Sequence, residues 1–289
     1  MIHSHTPVQE NRSASHKRQL LKRLQQVLIV VLTLLFISPL YYVIVSSLKT
    51  SLEIAENPFG LPSSPQWQNF SQVMGQLNYG RSIFNTMLIT AGTCLVCIVL
   101  GALAAYPLSR VKARWAGGVY QIFLWGMTVP FFAIMSPLFV MVKNLGLVNT
   151  YWGLILVMVV LNLPTAVFFY SNFLRALPRE LEEAAAIDGC SPAQAFRYVV
   201  LPLLKPITST LLLFTGMSSW NSMLVPLLFL YDESKRPIMV SVFQTLGTYT
   251  LTPTTLFPAV ILGSLPLLII FLILQRQIVQ GVAAGAVKG

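Results

Sequence analysis

The sequence predicts an all-α polytopic membrane protein with six transmembrane helices. Of its 289 residues, 55% are hydrophobic and only 10% are charged, and the mean hydropathy is +0.70. This balance is far more apolar than that of a soluble domain of the same length. A membrane-spanning helix needs about 20 apolar residues, and six runs of the chain are long enough: 24–48, 83–108, 117–142, 152–174, 206–230 and 257–275.

The distribution of Lys and Arg predicts how these helices are oriented. A net charge of +10 could indicate nucleic-acid binding, but in a chain this apolar it indicates basic residues that mark the cytoplasmic face. With the N-terminus inside, 14 of the 19 basic residues fall on the cytoplasmic side and 5 outside. We therefore expect an inner-membrane protein with a cytoplasmic tail (1–23), a membrane domain (24–275) and a cytoplasmic C-terminal tail (276–289).

Small residues and prolines give the expected character of the individual segments. The N-terminal tail is basic and lacks apolar periodicity, and the first outer segment, 49–82, is rich in proline and polar residues, so we expect little regular structure in either. Gly101, Ala104 and Ala105 form a small-residue patch that favours close packing of the second helix. Prolines predict kinks in five of the six spans; they are Pro39, Pro130, Pro137, Pro164, Pro226 and Pro266.

The stretch Leu177–Pro206 cannot lie in a membrane, and its residues predict two short helices that meet at a sharp turn. Pro178 suits a first helical turn, and the following glutamates favour the positive end of the helix dipole. Gly189 is the expected left-handed terminator. Ser191 and Gln194 then have the spacing of a capping box, with Pro192 at the first position of the second helix.

This stretch resembles the EAA loop of permease subunits of binding-protein-dependent ABC importers. The matching pattern is Glu183-Ala184-Ala185, three residues, Gly189, nine residues, Val199, one residue, and Leu201-Pro202. The variant with Asp188, Phe196 and Pro206 is similar to the carbohydrate, maltose-type branch. The C-terminal residues 275–281 and 284–289 are similar to the tail of the same branch.

The resemblance implies a type I ABC importer permease fold with a cytoplasmic coupling loop, residues 175–206, that docks on a separate ATPase. The residues it assigns to docking and coupling are Glu183, Ala184, Ala185, Asp188, Gly189, Leu201 and Pro202. It places further ATPase contacts at Gly285 and Lys288. The implied partners are a second, different permease subunit, two ATP-binding cassette ATPases and a solute-binding protein, which the last outer loop, Tyr231–Thr255, can reach.

Polar side chains inside the spans are candidates for a solute path, because hydrocarbon cannot satisfy them. They are Asn162 in the fourth span and Ser218, Ser219, Trp220 and Asn221 in the fifth. An aromatic ring beside amide and hydroxyl groups suits a sugar. The alternative is that Asn162 and Asn221 join helices by hydrogen bonds. No Asp, Glu, Lys or Arg lies deep in a predicted span, which argues against a proton- or sodium-coupled carrier.

The sequence carries no catalytic motif. It lacks a phosphate-binding Gly-rich loop, a metal-ligand cluster and a nucleophile with a base at motif spacing; Cys94 and Cys97 fall in an apolar span, and His3 and His5 lack a third ligand. We therefore expect a transporter subunit and not an enzyme, with no cofactor of its own and with ATP and Mg used by the ATPase. The expected cargo is a carbohydrate; the alternatives are another solute, such as a polyamine or a phosphate ester, or a secondary carrier.

Overall fold

The computed structural model describes residues 11–248 and 252–286, with side chains over 20–245 and 252–273. Its regular structure over these residues is helical. A π-helical turn, Phe196–Val200, follows the helix Pro192–Ala195, and a 3-10 turn, Glu233–Lys235, precedes the helix Ile238–Thr248. The α-helices in chain order are α1 (Asn11–Ser47), α2 (Ser51–Glu56), α3 (Gln68–Gln76), α4 (Tyr79–Arg110), α5 (Arg114–Thr128), α6 (Phe131–Asn144), α7 (Tyr151–Ala176), α8 (Glu180–Ile187), α9 (Pro192–Ala195), α10 (Leu201–Leu203), α11 (Lys205–Trp220), α12 (Leu224–Phe229), α13 (Ile238–Thr248) and α14 (Pro253–Ala286).

Four helices are long and apolar enough to cross a membrane by themselves: Leu20–Ser47 within α1, α4, α7, and Pro253–Ile273 within α14. Two further candidates among the described residues are bent pairs. Helices α5 and α6 meet at 105°, and Pro192–Leu203 meets α11 at 70°. The described chain therefore has four spans, or up to six if each bent pair counts as one.

The third and fifth predicted spans are not continuous helices, which corrects the sequence prediction. The third run, 117–142, breaks at Val129 and Pro130, both of which have extended backbone. Proline lacks an N–H and disfavours helical backbone in the residue before it, so the two helices separate there. In the fifth run, 206–230, α11 ends at Trp220 and the short α12 starts at Leu224.

Several segments expected to be irregular are helical. Helix α1 begins at Asn11, so 11–23 belong to a helix. The C-terminal tail, for which the sequence predicted no particular structure, continues α14 as far as Ala286. Residues 1–10 and 287–289 lie outside the described residues. The first outer segment contains α2 and α3, because its polar residues serve as caps: Thr50 Oγ1 accepts a hydrogen bond from the Glu53 N–H at 3.3 Å.

The described chain divides into two units. The first comprises residues up to Phe70 together with Thr252–Ile261. Its basic residue Lys49 is fully buried, and its Nζ donates to the carbonyl of Asn57 at 2.7 Å. The amide of Asn69 donates to the carbonyls of Ser47 and Lys49, each at 3.0 Å. These bonds hold the turn after α1 in place.

The second unit comprises Ser71–Leu251 and the residues from Leu262 onward, and α4 is its central helix. Helix α4 packs against α5, α7, α11 and α13. Gly101 permits its close approach to α7, because a β-carbon added there would lie 2.8 Å from the β-carbon of Ala166. Ala105 on the same helix is fully buried. The predicted role of this small-residue patch in helix packing is confirmed at these two positions.

Candidate functional site

The first half of the 175–206 loop is a helix with a built-in stop. Helix α8 ends at Ile187; the N–H of its capping residue Asp188 donates to the carbonyl of Ala184 at 3.0 Å, and Gly189 follows with φ +86°. Only glycine adopts this left-handed conformation without strain, so the predicted terminator is confirmed. Pro178 lies two residues before Glu180 and not in the first helical turn.

The second half of the loop starts with the predicted capping box. Ser191 Oγ accepts from the Gln194 N–H at 3.4 Å, and the Gln194 side-chain oxygen accepts from the Ser191 N–H at 2.8 Å. Pro192 is the first residue of α9. Because these two bonds satisfy backbone groups that the helix cannot satisfy itself, α9 starts at a fixed position, with only four residues between it and the end of α8.

One face of α8 is open for a partner. Glu183, Ala184 and Ala186 are exposed, and Ile187 retains 87% exposure. Ala185, which the sequence placed in the docking surface, is instead buried against the protein's own chain. The surface offered to another protein is therefore a carboxylate, two small residues and an apolar tip, with Asp188 exposed beyond them.

The opposite side of α8 is bound to the end of α4 through Glu182, which the sequence analysis treated only as a charge near the helix dipole. Arg110 contacts Glu182 Oε1 with Nη2 and Nε, both at 2.7 Å, and the Tyr106 hydroxyl donates to Oε2 at 2.9 Å. The Arg110 and Glu182 side chains are only 12% and 17% exposed. Both carboxylate oxygens are thus used in a largely desolvated ion pair, and removing either partner would leave the other charge with little water around it.

The last part of the 175–206 loop, which leads into α11, also packs against α4. The rings of Tyr106 and Phe196 lie 4.8 Å apart. Val200 and Leu204 are buried in a cluster with Ala105 and side chains of α7. Leu201 and Pro202, the remaining predicted docking residues, are exposed immediately before the 70° bend at Leu204.

A second feature is a cavity of about 590 Å³ at the two helix breaks. Met127, Val129 and Phe131 line it from the α5–α6 break, and the α11–α12 break contributes Asn221, Ser222 and Met223. Asn162 and Thr165 of α7 and Ser218 of α11 add polar groups. Among the described residues that line the cavity, none carries a charge. Broken helices at membrane depth are tolerated where they line such a cavity.

The structure brings together three of the five predicted path residues, Asn162, Ser218 and Asn221, whereas Ser219 and Trp220 do not line the cavity. Trp220 is buried elsewhere, and its indole N–H donates to the carbonyl of Gly263 at 3.2 Å. Phe131 and Phe132 are the aromatic rings at the cavity. The Asn162 amide donates to the carbonyl of Met158 at 2.8 Å within its own helix, which does not support the alternative that it joins two helices.

At the other end of α4, buried polar side chains hold the 231–241 segment. The Asn85 amide donates to the carbonyls of Ser234 and Arg236 at 2.9 and 3.0 Å, and Tyr151 Oη donates to Asn85 Oδ1 at 2.8 Å. Thr86 Oγ1 accepts from the Ile238 N–H at 2.8 Å. These four hydrogen bonds join the first turns of α4 to distant residues of the chain.

The 231–241 segment also has its own internal bonds. Hydrogen bonds from the Ser234 hydroxyl and N–H lower the pKa of the exposed Asp232 carboxyl, and Lys235 contributes to the same shift. Arg236 pairs with Glu233 at 2.8 Å. The segment is therefore an ordered turn and not a loose connection.

The two predicted ATPase contacts near the C-terminus lie at or beyond the end of the described residues. Gly285 lies in the backbone of the last turn of α14, and Lys288 lies outside the described residues. Within the described residues, no three His, Cys, Asp or Glu side chains come together in a way that could hold a metal ion.

The chain is similar to known transport proteins. Residues 97–284 match the family model described as binding-protein-dependent transport system inner membrane component. The chain is 30% identical over 279 residues to the diacetylchitobiose uptake system permease protein NgcG of Streptomyces coelicolor, covering 96% of this chain and 92% of that protein. It is 34% identical over 252 residues to the melibiose/raffinose/stachyose import permease protein MelC of Bacillus subtilis, covering 87% and 91%.

A solved structure shares the fold. The crystal structure of a bacterial ABC transporter involved in the import of the acidic polysaccharide alginate contains a chain that superposes with a TM-score of 0.77. The superposition covers 94% of this chain and 99% of that one, at 22% sequence identity. The helical order described above is thus an architecture already seen in an ABC importer.

Proposed function

The chain belongs to the family of inner-membrane components of binding-protein-dependent transport systems, and on that premise we propose that it is the permease subunit of an ATP-driven importer that carries a carbohydrate across the membrane. The curated relatives support the cargo class, since their names specify diacetylchitobiose, starch degradation products, and melibiose, raffinose and stachyose. The chain covers at least 91% of each of these relatives.

The cavity at the two helix breaks carries the proposal of a sugar path. Amide and hydroxyl groups of Asn162, Ser218 and Asn221 can bond sugar hydroxyls, and Phe131 can face the apolar side of a sugar ring. A polyamine or a phosphate ester would need opposite charges along its path. The uncharged described lining therefore favours a neutral, polyhydroxylated solute over those alternatives.

This subunit is not an enzyme, and its energy comes from partner ATPases that bind ATP and Mg. We place the docking of one ATPase on the exposed face of α8, with Glu183 paired to a basic group and with Ala184 and Ala186 permitting close backbone contact. Gly189 fixes the turn after α8. When the ATPase moves α8, Leu201 and Pro202 transmit that movement to α11. The C-terminal residues Gly285 and Lys288 are proposed as a second ATPase contact.

The remaining assembly follows from the family and from the charge distribution. A solute-binding protein delivers the cargo, and we propose a second, different permease subunit as the partner in the membrane. We propose that both termini lie in the cytoplasm, and the excess of Lys and Arg on that side supports this. If the bent pair α5–α6 counts as one span and α11 as another, the chain has six spans and the 175–206 loop lies in the cytoplasm.

The test is the composition and ATP turnover of the native complex, affinity-purified and held in lipid. We expect stoichiometric ATPase subunits and a turnover that rises when the binding protein is loaded with one particular oligosaccharide. An intact complex without an ATPase would contradict the importer, and stimulation only by a loaded polyamine or phosphate-ester binding protein would contradict the sugar.

A further inference from the structure

We propose that α4 is a strut that links the ATPase-docking loop to the 231–241 segment on the opposite face of the membrane, with Glu182 and Asn85 as the positioning residues at its two ends. The inference rests on the proposed function, because it assigns a route by which ATP binding and cargo delivery influence each other. It departs from the expectation that the 175–206 loop acts only through its covalent connection to α11.

The inner attachment is a short, largely buried ion pair. Glu182 is held by Arg110 and by Tyr106, so both of its oxygens are bonded to α4. A second bond from Arg110 Nη2 reaches the carbonyl of Leu177 at 3.4 Å, on the chain just before α8. Because α8 is bonded to α4 by charged groups with little water around them, a displacement of α8 moves the end of α4 with it.

The outer attachment uses three nearly fully buried side chains of α4. Asn85, Thr86 and Ser82 are 2–3% exposed. Asn85 bonds two carbonyls of the 231–241 segment, Thr86 accepts the Ile238 N–H, and the Ser82 and Ser241 hydroxyls lie 2.9 Å apart. The segment cannot leave α4 without breaking several buried hydrogen bonds at once, and leaving such groups unpaired is unfavourable.

The helix between the attachments is suited to carry a displacement. From Ser82 to Arg110 an α-helix rises by about 42 Å, which exceeds the hydrocarbon core of a bilayer. It packs along its length against α7, closely so at Gly101. A continuous packed helix moves as a body, so the ATPase-docking face and the 231–241 segment change position together.

The test uses the complete transporter in lipid, with both permeases, the ATPases and the binding protein. Glu182→Gln weakens the inner attachment and Asn85→Ala the outer one. For each, we expect basal ATP turnover within about twofold of the original, whereas stimulation by the loaded binding protein and solute uptake fall about tenfold, within the usual range of coupling energies. Glu56→Gln, an exposed carboxylate of the other unit, is the matched control and should behave like the original protein.

Two combined variants separate coupling from simple structural damage. Exchange of the charges, Arg110→Glu with Glu182→Arg, should recover a large part of the stimulation that Glu182→Gln loses. Glu182→Gln combined with Asn85→Ala should lose no more stimulation than either change alone. Both changes interrupt the same coupling route, so their effects should not add. Losses that multiply, or a Glu182→Gln variant with unaltered stimulation, would overturn the strut.

Assembly is measured by size-exclusion chromatography of each complex. If Glu182→Gln fails to assemble, Tyr106→Phe decides the inner attachment, since it removes one hydrogen bond and keeps the ion pair; unaltered stimulation in that variant and in Asn85→Ala overturns the proposal. An original complex that shows no stimulation by any loaded binding protein refutes the proposed function. Stimulation of the original complex together with unaltered variants refutes the strut alone.

Discussion

The 175–206 loop and the cavity at the helix breaks are built on opposite principles. The loop uses two local devices, a glycine stop and a capping box, which each fix a helix end within a few residues, and a long-range ion pair that binds it to α4. The cavity lies where α5 and α11 end, and α7 also lines it. The first region is held by fixed bonds, which suits the proposed transmission of a displacement, whereas the second is an open space with uncharged described lining.

The contrast between the loop and the cavity can be tested by substitution, and the largest loss of solute uptake is expected at the exposed face of the loop. Glu183→Lys should lower solute uptake by at least about tenfold, because like charges brought together at an interface cost several kcal/mol. The side chain is exposed, so membrane insertion should be unaffected. Uptake in vesicles measures the effect, with Glu183→Gln as the milder control, and uptake unchanged by the charge reversal would remove Glu183 from the docking surface.

The next effect is expected in the packing that supports both regions. Gly101→Leu should force α4 and α7 apart, because Ala166 has no flexible atoms that could move aside; overpacking of this kind costs about 1–3 kcal/mol. We expect less assembled complex and a lower melting temperature. Gly117→Leu, at a helical glycine with open space around it, is the control, and equal losses in both variants would contradict the explanation.

A moderate effect is expected in the cavity. Asn162→Leu removes a polar group that can bond the solute, and one net hydrogen bond contributes about 0.5–1.5 kcal/mol, so uptake should fall roughly twofold to tenfold with stimulated ATP turnover retained. Ser219→Ala, a neighbour of Ser218 outside the cavity lining, should leave uptake unchanged. A loss of ATPase stimulation in Asn162→Leu would mean that the cavity, too, transmits force.

The smallest effect is expected at the turn of the loop. Gly189→Ala places a β-carbon at φ +86°, which costs roughly 1 kcal/mol. No atom lies within 4 Å of that position, so the loop should keep its shape with a slightly lower melting temperature and an uptake within about twofold of the original. Gly118→Ala, in a helix with open space, should show no loss; a collapse of uptake in Gly189→Ala would mean that the turn itself contacts the ATPase.

The difference between short-range and long-range interactions explains which features the sequence could predict. Gly189, Ser191 and Gln194 act within four residues, so their spacing alone identified the turn and the capping box. The partners Arg110 and Glu182 are 72 positions apart, and nothing local joins them. The bend at Pro130 was visible as a proline, but the size of the bend, 105°, depends on how α6 packs.

The cavity shows where a helical rule would have improved the prediction. Ser218, Ser219, Trp220 and Asn221 are consecutive, and consecutive residues of a helix point about 100° apart, so four of them cannot face one cavity. Residues three apart can, and Ser218 and Asn221 do. Trp220 instead turns to the carbonyl of Gly263.

The π-helical turn at Phe196–Val200 has a consequence for how the loop can vary in length. A π turn contains one residue more than the α turn it replaces, as the bond from the Leu201 N–H to the Phe196 carbonyl records. Deleting one residue there would restore an ordinary α turn, with the ends of the loop nearly unmoved and Phe196 rotated away from Tyr106. The nine-residue spacing from Gly189 to Val199 includes part of this turn, so the length of the loop is tied to the contact between Phe196 and Tyr106.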